Sequence, residues 1–226
     1  MINFQEVSKH YPDGTAALEN VSFEVSPGEF LFIVGPSGAG KTTLVRLLTR
    51  EEIPTEGELE VSGRSVANLF GQELLQHRRE LGVVHQDYKL LPEKTAFENV
   101  ALALEVLGRP DSEIKEVVPH VLSLVGLGDR MHHFPYQLSG GERQRLAFAR
   151  ALAPEPKILI ADEPTGNIDP DSAWSAIKLL EKINEMGTTV LVATHAADIV
   201  NRLGRRVIGL DKGKVVKDQK KGKYAS

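Results

Sequence analysis

Glycines, a lysine and a threonine stand at a spacing that suits the binding of phosphate groups. The segment matches the pattern G-x-x-x-x-G-K-[ST] at every fixed position, and its residues are Gly35, Pro36, Ser37, Gly38, Ala39, Gly40, Lys41 and Thr42. Glycines let the backbone wrap closely around phosphates, and a helix beginning near Lys41 adds its positive end. We expect Lys41 to reach the β- and γ-phosphates of a nucleoside triphosphate, Thr42 to hold Mg²⁺ and Thr43 to touch the α-phosphate. The alternative is a glycine-rich turn without a ligand, which the apolar strand before it and the helical pattern after it disfavour.

Two adjacent carboxylates, Asp162 and Glu163, follow the apolar run 158–161. Ligands of parallel sheets bind at the carboxyl ends of strands, and neighbouring carboxylates are costly without a cation nearby. We therefore expect Asp162 to hold Mg²⁺ through water and Glu163 to orient or deprotonate the water that attacks the γ-phosphate. The alternative is an acidic strand end that caps the next helix, and the phosphate loop in the same chain weakens it.

Two further polar residues follow apolar runs. His195 comes after 190–193 and Gln86 after 81–84, so both are expected at the same edge of the sheet as the carboxylates. A lone histidine is usually structural. At this edge, however, His195 could hydrogen-bond the γ-phosphate, and Gln86 could coordinate Mg²⁺ and touch the attacking water.

Residues 138–144, with the sequence LSGGERQ, contain a helix start. Ser139 is a favourable N-cap, and Glu142 three residues later completes a capping box. A cap alone does not explain Gly140 and Gly141, because two glycines destabilise a helix. They leave the N–H groups of the helix open to an anion.

The elements that position these residues follow from hydrophobic periodicity. Apolar residues alternate with polar ones near positions 2–7, 21–25 and 59–61, which predicts half-exposed antiparallel strands. The runs 30–34, 81–84, 158–161 and 190–193 are almost continuously apolar, as in strands buried in a parallel sheet. Helical patterns at 41–49 and 172–186 lie between some of them, the second closed by Gly187. The fold class is therefore α/β.

We expect a single domain over residues 1–226. Residues 1–87 and 154–226 form the sheet core with an N-terminal antiparallel β subdomain, and 88–153 form an inserted helical subdomain that carries the 138–144 motif. Residues 207–210 and 214–216 are predicted to pair as a closing hairpin.

Composition excludes several classes of protein. The 226 residues carry a net charge of −4, which argues against a broad basic face for nucleic acid, and they include no cysteine, which excludes disulfide and thiol chemistry. We find no signal-peptide pattern at the N-terminus and no apolar run long enough for a bilayer. The C-terminal segment is lysine-rich, and a solvated, floppy tail is favoured over attraction to an anionic membrane surface. Its lysines are Lys212, Lys214, Lys217, Lys220, Lys221 and Lys223.

Taken in order along nearly the whole chain, these motifs resemble those of the ATP-binding-cassette (ABC) ATPases. LSGGERQ is similar to the family's signature, and the loop Gly166-Asn167-Ile168-Asp169 lies where the family has its D-loop. The resemblance implies the P-loop ABC ATPase fold, ATP hydrolysis with Mg²⁺, and adenine stacking on Tyr11. It also implies a head-to-tail homodimer in which Ser139, Gly140, Gly141 and Glu142 serve the ATP of the partner. Asp169 belongs to the same nucleotide site.

The D-loop departs from the common Ser-Ala-Leu-Asp form and resembles that of the cell-division, lipoprotein-release and macrolide-export ATPases. Residues 85–92, 95, 98–100 and 103–106 are most similar to the cell-division members, although His85 stands where relatives often have an aromatic residue. This resemblance implies an FtsX-like integral membrane partner, a place on the cytoplasmic face of the inner membrane at the division site, and regulation of cell-wall hydrolysis. The alternatives are an export subunit with the same ATP site, and a soluble ABC protein without a membrane partner.

Overall fold

The strands form two sheets in the residues that the structure, a computed structural model, describes, namely 1–166 and 168–224. The first sheet is antiparallel and has the order β2-β1-β4-β5. Its strands are β1 (Ile2–His10), β2 (Ala16–Val25), β4 (Glu56–Val61) and β5 (Arg64–Ser65). The alternating patterns near positions 2–7, 21–25 and 59–61 fall in β1, β2 and β4, which confirms the predicted antiparallel unit.

The second sheet has the order β10-β9-β3-β8-β7-β6. All its neighbours are parallel except β10, which is antiparallel to β9. Its strands are β3 (Phe30–Val34), β6 (Leu81–Val84), β7 (Ile158–Asp162), β8 (Thr189–Thr194), β9 (Arg206–Asp211) and β10 (Lys214–Gln219). The four continuous apolar runs lie in the parallel strands β3, β6, β7 and β8, and the closing hairpin is confirmed as β9 and β10.

The parallel sheet separates two apolar layers, and β3 shows why. Phe30, Phe32 and Val34 face a core shared with the helices that follow β6 and β7. Leu31 and Ile33 face the opposite core, which is shared with the antiparallel sheet. Side chains of a strand alternate between faces. Burying each one contributes about 1.5–3 kcal/mol, so an unbroken apolar run is what a strand between two cores requires.

Helices connect the strands and cover the sheet, and their bounds are α1 (Lys41–Leu48), α2 (Gly71–Arg79), α3 (Ala96–Glu105), α4 (Asp111–Leu124), α5 (Gly140–Leu152), α6 (Pro170–Glu185) and α7 (Ala197–Leu203). Helices α3, α4 and α5 come between β6 and β7 and pack against one another. Gly187, with φ of 102°, directly follows the C-cap of α6, as expected for a left-handed termination. Among the described residues, no helix is both long and apolar enough to cross a membrane.

The structure corrects one expectation and adds two helices. The interpretation of the lysine-rich segment as a floppy tail is wrong: Lys214 and Lys217 lie in β10, and Gly222 is buried. Helix α2 was not predicted because its only buried residue is His77, so it has no apolar stripe. Helix α7 is only seven residues long. Asn167 of the predicted D-loop lies outside the described residues.

Candidate nucleotide-binding site

A cavity of about 650 Å³ opens at the carboxyl ends of the central parallel strands. The predicted adenine-stacking residue, the phosphate loop and the predicted catalytic residues meet in its wall. Its lining residues are Tyr11, Thr15, Ala16, Ala17, Pro36, Ser37, Gly38, Ala39, Gly40, Lys41, Thr42, Thr43, Gln86, Glu163, His195 and Tyr224. Residues far apart in the sequence therefore converge where parallel sheets place their ligands.

The phosphate loop is packed tightly against the rest of the chain. Gly40 precedes α1 with φ of 106°, and a Cβ atom there would lie 2.6 Å from the carbonyl oxygen of Ala17. A Cβ atom at Gly35 would lie 2.2 Å from the carbonyl oxygen of Leu210. Both glycines are thus required by packing against neighbouring strands. Because Gly40 offers no capping side chain, the first N–H groups of α1 stay available to an anion.

Lys41 is held in place by the loop that it follows. Its Nζ atom donates to the carbonyl oxygens of Gly35 at 2.8 Å and Pro36 at 3.2 Å. It also lies 3.4 Å from Oε1 of Glu163, and the residue is only 7% exposed. A cation fixed in this way at the base of the cavity is pre-organised for phosphate oxygens.

Glu163 bridges two other candidate residues. Its Oε2 atom accepts from the backbone N–H of His195 at 3.3 Å and lies 2.9 Å from His195 Nδ1, while Oε1 faces Lys41. Its backbone has φ of 47°, a left-handed conformation that is costly for a glutamate, and its N–H donates to Ala193 at 2.8 Å. Glu163 does not cap the next helix. Asp169 does, by accepting from the backbone N–H of Ser172 at 2.9 Å, which lowers the pKa of the Asp169 carboxyl.

Asp162, the last residue of β7, is a buried carboxylate. It is 7% exposed, and its Oδ1 atom is buried without a hydrogen-bond partner among the described residues. Burial raises the pKa of the Asp162 carboxyl, although the Thr42 hydroxyl acts in the opposite direction. Thr42, Gln86 and Asp162 line one adjoining cavity of about 420 Å³. No three His, Cys, Asp or Glu side chains of the described residues form a ligand cluster, so this set combines a hydroxyl, an amide and a carboxylate.

The raised pKa of Asp162 gives a pH-dependent prediction. A carboxyl whose pKa is higher in the folded than in the unfolded chain adds stability below the unfolded pKa, and the gain is lost as pH rises through the folded pKa. We expect Asp162→Asn to raise the free energy of unfolding of the ligand-free protein by about 1 kcal/mol at pH 7, because a neutral amide costs less to bury than a carboxylate.

Urea unfolding in the presence of a chelator, at pH 7 and at pH 4, checks this. The difference between the variant and the wild type should shrink at pH 4. Asp129→Asn, at an exposed position, serves as the control. A variant that is less stable than the wild type at pH 7 would contradict the role of burial.

Tyr11 and Gln86 both lie in the wall of the nucleotide cavity. The Tyr11 hydroxyl is buried and has no hydrogen-bond partner among the described residues, and Lys9 Nζ lies 5.1 Å from the centroid of its ring. Gln86 lines both cavities, between the predicted metal ligands and Glu163. The roles expected of Tyr11 in adenine stacking and of Gln86 in metal and water binding stay predictions.

The signature residues are organised but stand apart from this cavity. Ser139 caps α5, and its hydroxyl accepts from the backbone N–H of Glu142 at 3.3 Å. Glu142 accepts in return from the Ser139 backbone at 2.8 Å, which lowers the pKa of the Glu142 carboxyl. The structure does not bring Ser139, Gly140, Gly141 or Glu142 to the described wall of the chain's own nucleotide cavity.

Gly141 has a packing role within the chain. A Cβ atom there would lie 2.5 Å from Oγ and 2.9 Å from Cβ of Ser172, in the first turn of α6. The start of α5 is therefore pressed against the helix that Asp169 caps. The repetition of glycine at 140–141 predicted an exposed anion site, whereas this contact between helices could not be read from the sequence.

We expect Gly141→Ala to lower the free energy of unfolding by about 1–3 kcal/mol, because overpacking outweighs the higher helix propensity of alanine. Urea unfolding measures the change. Ser172→Gly removes the opposing atoms but keeps the backbone N–H that Asp169 caps, so the double variant should regain most of the loss. Equal stability of Gly141→Ala and the wild type would show that α5 moves freely against α6.

Sequence reasoning missed two residues near the site. Arg150 of α5 donates to the carbonyl oxygens of Tyr88 at 2.7 Å and Lys89 at 2.6 Å, and it thereby fixes the loop after Gln86. Burial lowers the pKa of Arg150. Tyr224 lines the nucleotide cavity from the C-terminal segment. An arginine within a helix and a tyrosine in a lysine-rich segment carry no motif that points to either position.

Comparisons with known proteins agree with this geometry. The family described as ABC transporter matches residues 18–166. The cell division ATP-binding protein FtsE of Bacillus subtilis (strain 168) is 50% identical over 226 residues, which cover 100% of this chain and 99% of that protein. The dimeric post-hydrolysis structure of the ATP-binding cassette MJ0796 bound to ADP and Pi has a TM-score of 0.90 at 36% identity, covering 99% of this chain and 100% of that chain. CbiO1 from Clostridium perfringens, part of the ABC transporter complex cbiONQ, has a TM-score of 0.88 at 29% identity, covering 97% and 88% of the two chains.

The strand order, the phosphate loop and the paired carboxylates at the end of β7 define a P-loop ATPase of the cassette type. The chain belongs to the ABC transporter family and, within it, to the group of the cell division ATP-binding proteins FtsE. It is an ATP-binding and ATP-hydrolysing subunit. This confirms the fold class and the enzyme class that the sequence predicted.

Proposed function

We propose that two copies of this chain close around two ATP molecules, each held by the phosphate loop of one copy and the signature of the other. One observation carries this proposal: the signature helix is capped by Ser139 and begins at the partly exposed Gly140, yet it lies outside the described wall of its own chain's cavity. A second copy supplies the missing surface. The dimeric state of MJ0796 bound to ADP and Pi, an overall match at a TM-score of 0.90, supports the arrangement.

We assign roles to the residues that each copy contributes to an ATP site from their positions in the two cavities. Tyr11 stacks on adenine, and the N–H groups of Gly35 and of residues 37–43 hold the phosphates together with Lys41. Asp169 belongs to the loop that faces the partner. Thr42, Gln86 and Asp162 would hold Mg²⁺, since they share one cavity and one oxygen of Asp162 is buried without a hydrogen-bond partner among the described residues. When bound, Mg²⁺ neutralises charge on the phosphate oxygens.

Glu163 orients the attacking water and accepts its proton. It lies between Lys41 and His195 and is almost fully buried, so its carboxylate has a fixed direction. His195, whose side chain is 64% exposed in this single chain, donates to the γ-phosphate.

We propose that closure of the dimer moves part of the chain and that a membrane partner receives this movement. Residues 88–153 form the helical unit that moves when the dimer closes. Within it, Arg150 of α5 holds the segment that directly follows Gln86, through the carbonyls of Tyr88 and Lys89. ATP that binds the closed state far more tightly than the open one can shift such an equilibrium by about 5 kcal/mol. We propose that an FtsX-like integral membrane protein receives this motion and that the complex regulates cell-wall hydrolysis during division, at the cytoplasmic face of the inner membrane. FtsE of Bacillus subtilis, 50% identical, and cbiO1 within a transporter complex support this assignment.

Co-purification from membranes tests the partner. The chain, tagged at its N-terminus, is expressed with and without the FtsX-like protein, and membranes are collected in both cases. We expect sedimentation with membranes only when the partner is present, and ATP-dependent recovery of the complex. Recovery of a lipoprotein-release or macrolide-export permease from native membranes would replace the division role with export, and sedimentation without any partner would contradict the proposed attachment.

A further inference from the structure

The segment that follows β10 returns to the body of the protein. Gly222 is buried, its N–H donates to the carbonyl oxygen of Arg205 at 3.1 Å, and a Cβ atom there would lie 2.6 Å from Cβ of Val207. The Lys217 ammonium group donates to the carbonyl oxygen of Lys223. The segment 220–224 therefore packs against the beginning of β9, and position 222 leaves room only for glycine.

The last described residue, Tyr224, lies in the wall of the nucleotide cavity. Its backbone N–H donates to Oδ1 of Asn201 at 2.7 Å, and its half-buried ring packs against the main core. Asn201 lies in α7, which begins two residues after His195. Tyr224 and His195 both line the nucleotide cavity. The anchor of Tyr224 thus lies on the helix that follows His195, the residue expected at the γ-phosphate.

We propose that Tyr224 is a further nucleotide-binding residue, which donates its phenol hydroxyl to the γ-phosphate end of ATP and makes ATP affinity depend on the docked C-terminal segment. A phenol offers a hydrogen-bond donor on an apolar ring, so the ring can remain against the core while the hydroxyl faces the cavity. The proposal rests on the ATP site described above.

Equilibrium binding of ATP and ADP to the full chain tests it, with nucleotide affinity measured by calorimetry. Losing one hydrogen bond to a phosphate should weaken ATP binding about three- to tenfold in both Tyr224→Phe and Tyr224→Ala. ADP affinity should stay within about twofold, because ADP lacks the γ-phosphate. Unchanged ATP affinity in Tyr224→Phe, equal losses for ATP and ADP, or tighter ATP binding in Tyr224→Ala would each overturn the proposal.

Two variants outside the cavity test whether ATP binding depends on the docked C-terminal segment. Gly222→Val introduces the clash with Val207 and lifts the segment, and Asn201→Ala removes the anchor of Tyr224 without a clash. We expect both to weaken ATP binding about as much as Tyr224→Phe does, with no further loss when either is combined with it. Additive losses would contradict a shared mechanism.

Lys220→Ala, at an exposed position of the same segment, is the matched control and should bind like the wild type. A wild-type chain that does not bind ATP would refute the ATP site itself, which separates that failure from failure of the Tyr224 contact.

Discussion

Glu163→Gln is expected to lower the ATP turnover rate by about 100- to 10,000-fold, the usual contribution of a general base. The amide cannot accept the proton of the attacking water, although it keeps the size of the carboxylate. The hydrogen bond from the His195 backbone can persist, because the amide oxygen can replace Oε2. ATP should still bind, since the phosphate loop is untouched, and removing a negative charge next to the γ-phosphate should favour it.

Phosphate release and size-exclusion chromatography with MgATP together check this prediction. The variant should elute as a dimer with ATP and as a monomer without nucleotide, because hydrolysis no longer reopens the pair. Glu185→Gln, at the exposed end of α6, is the matched control and should hydrolyse ATP like the wild type. Near wild-type turnover in Glu163→Gln would remove Glu163 from the reaction and leave His195 or Gln86 as the residue that orients the water.

Lys41→Ala is expected to weaken ATP binding by about 10- to 100-fold, as the loss of a charged hydrogen-bond donor predicts. Lys41 is 7% exposed, and the Gly35 and Pro36 carbonyls hold its ammonium group in place. Its loss also leaves Glu163 facing the triphosphate without the cation that now lies 3.4 Å away. Repulsion between that carboxylate and the phosphates adds to the effect.

Calorimetric titration with ATP measures this change, and a double variant separates its two causes. Lys41→Ala combined with Glu163→Gln should recover part of the affinity if repulsion by Glu163 contributes. Lys178→Ala, on the exposed face of α6, should have no effect. An unaltered affinity in Lys41→Ala would mean that the backbone N–H groups of the phosphate loop bind ATP without the lysine.

The strands and the phosphate loop were predictable because their signals are local. Each buried parallel strand is a continuous apolar run, and the phosphate loop and the capping box are contiguous segments whose spacing alone meets the demands of their ligands or helix ends. Helix α2 was missed for the opposite reason. Its nine residues bury only His77, whose Nε2 atom lies 2.7 Å from the carbonyl oxygen of Leu48. Arg78 of the same helix donates to the carbonyl oxygens of Thr49 and Arg50. A helix that is held mainly by polar contacts has no periodic apolar pattern.

Local sequence patterns were enough to identify the chemistry: a phosphate loop, two carboxylates at a strand end and a capped glycine pair. How these parts constrain one another depends on the three-dimensional packing. Glu163 is fixed between Lys41 and His195, Gly141 is pressed against Ser172, and the C-terminal segment, expected to be floppy, places Tyr224 in the cavity wall. Each of these contacts joins residues more than twenty positions apart. Their proximity depends on the path of the whole chain, because packing between distant segments leaves no periodic trace in either one.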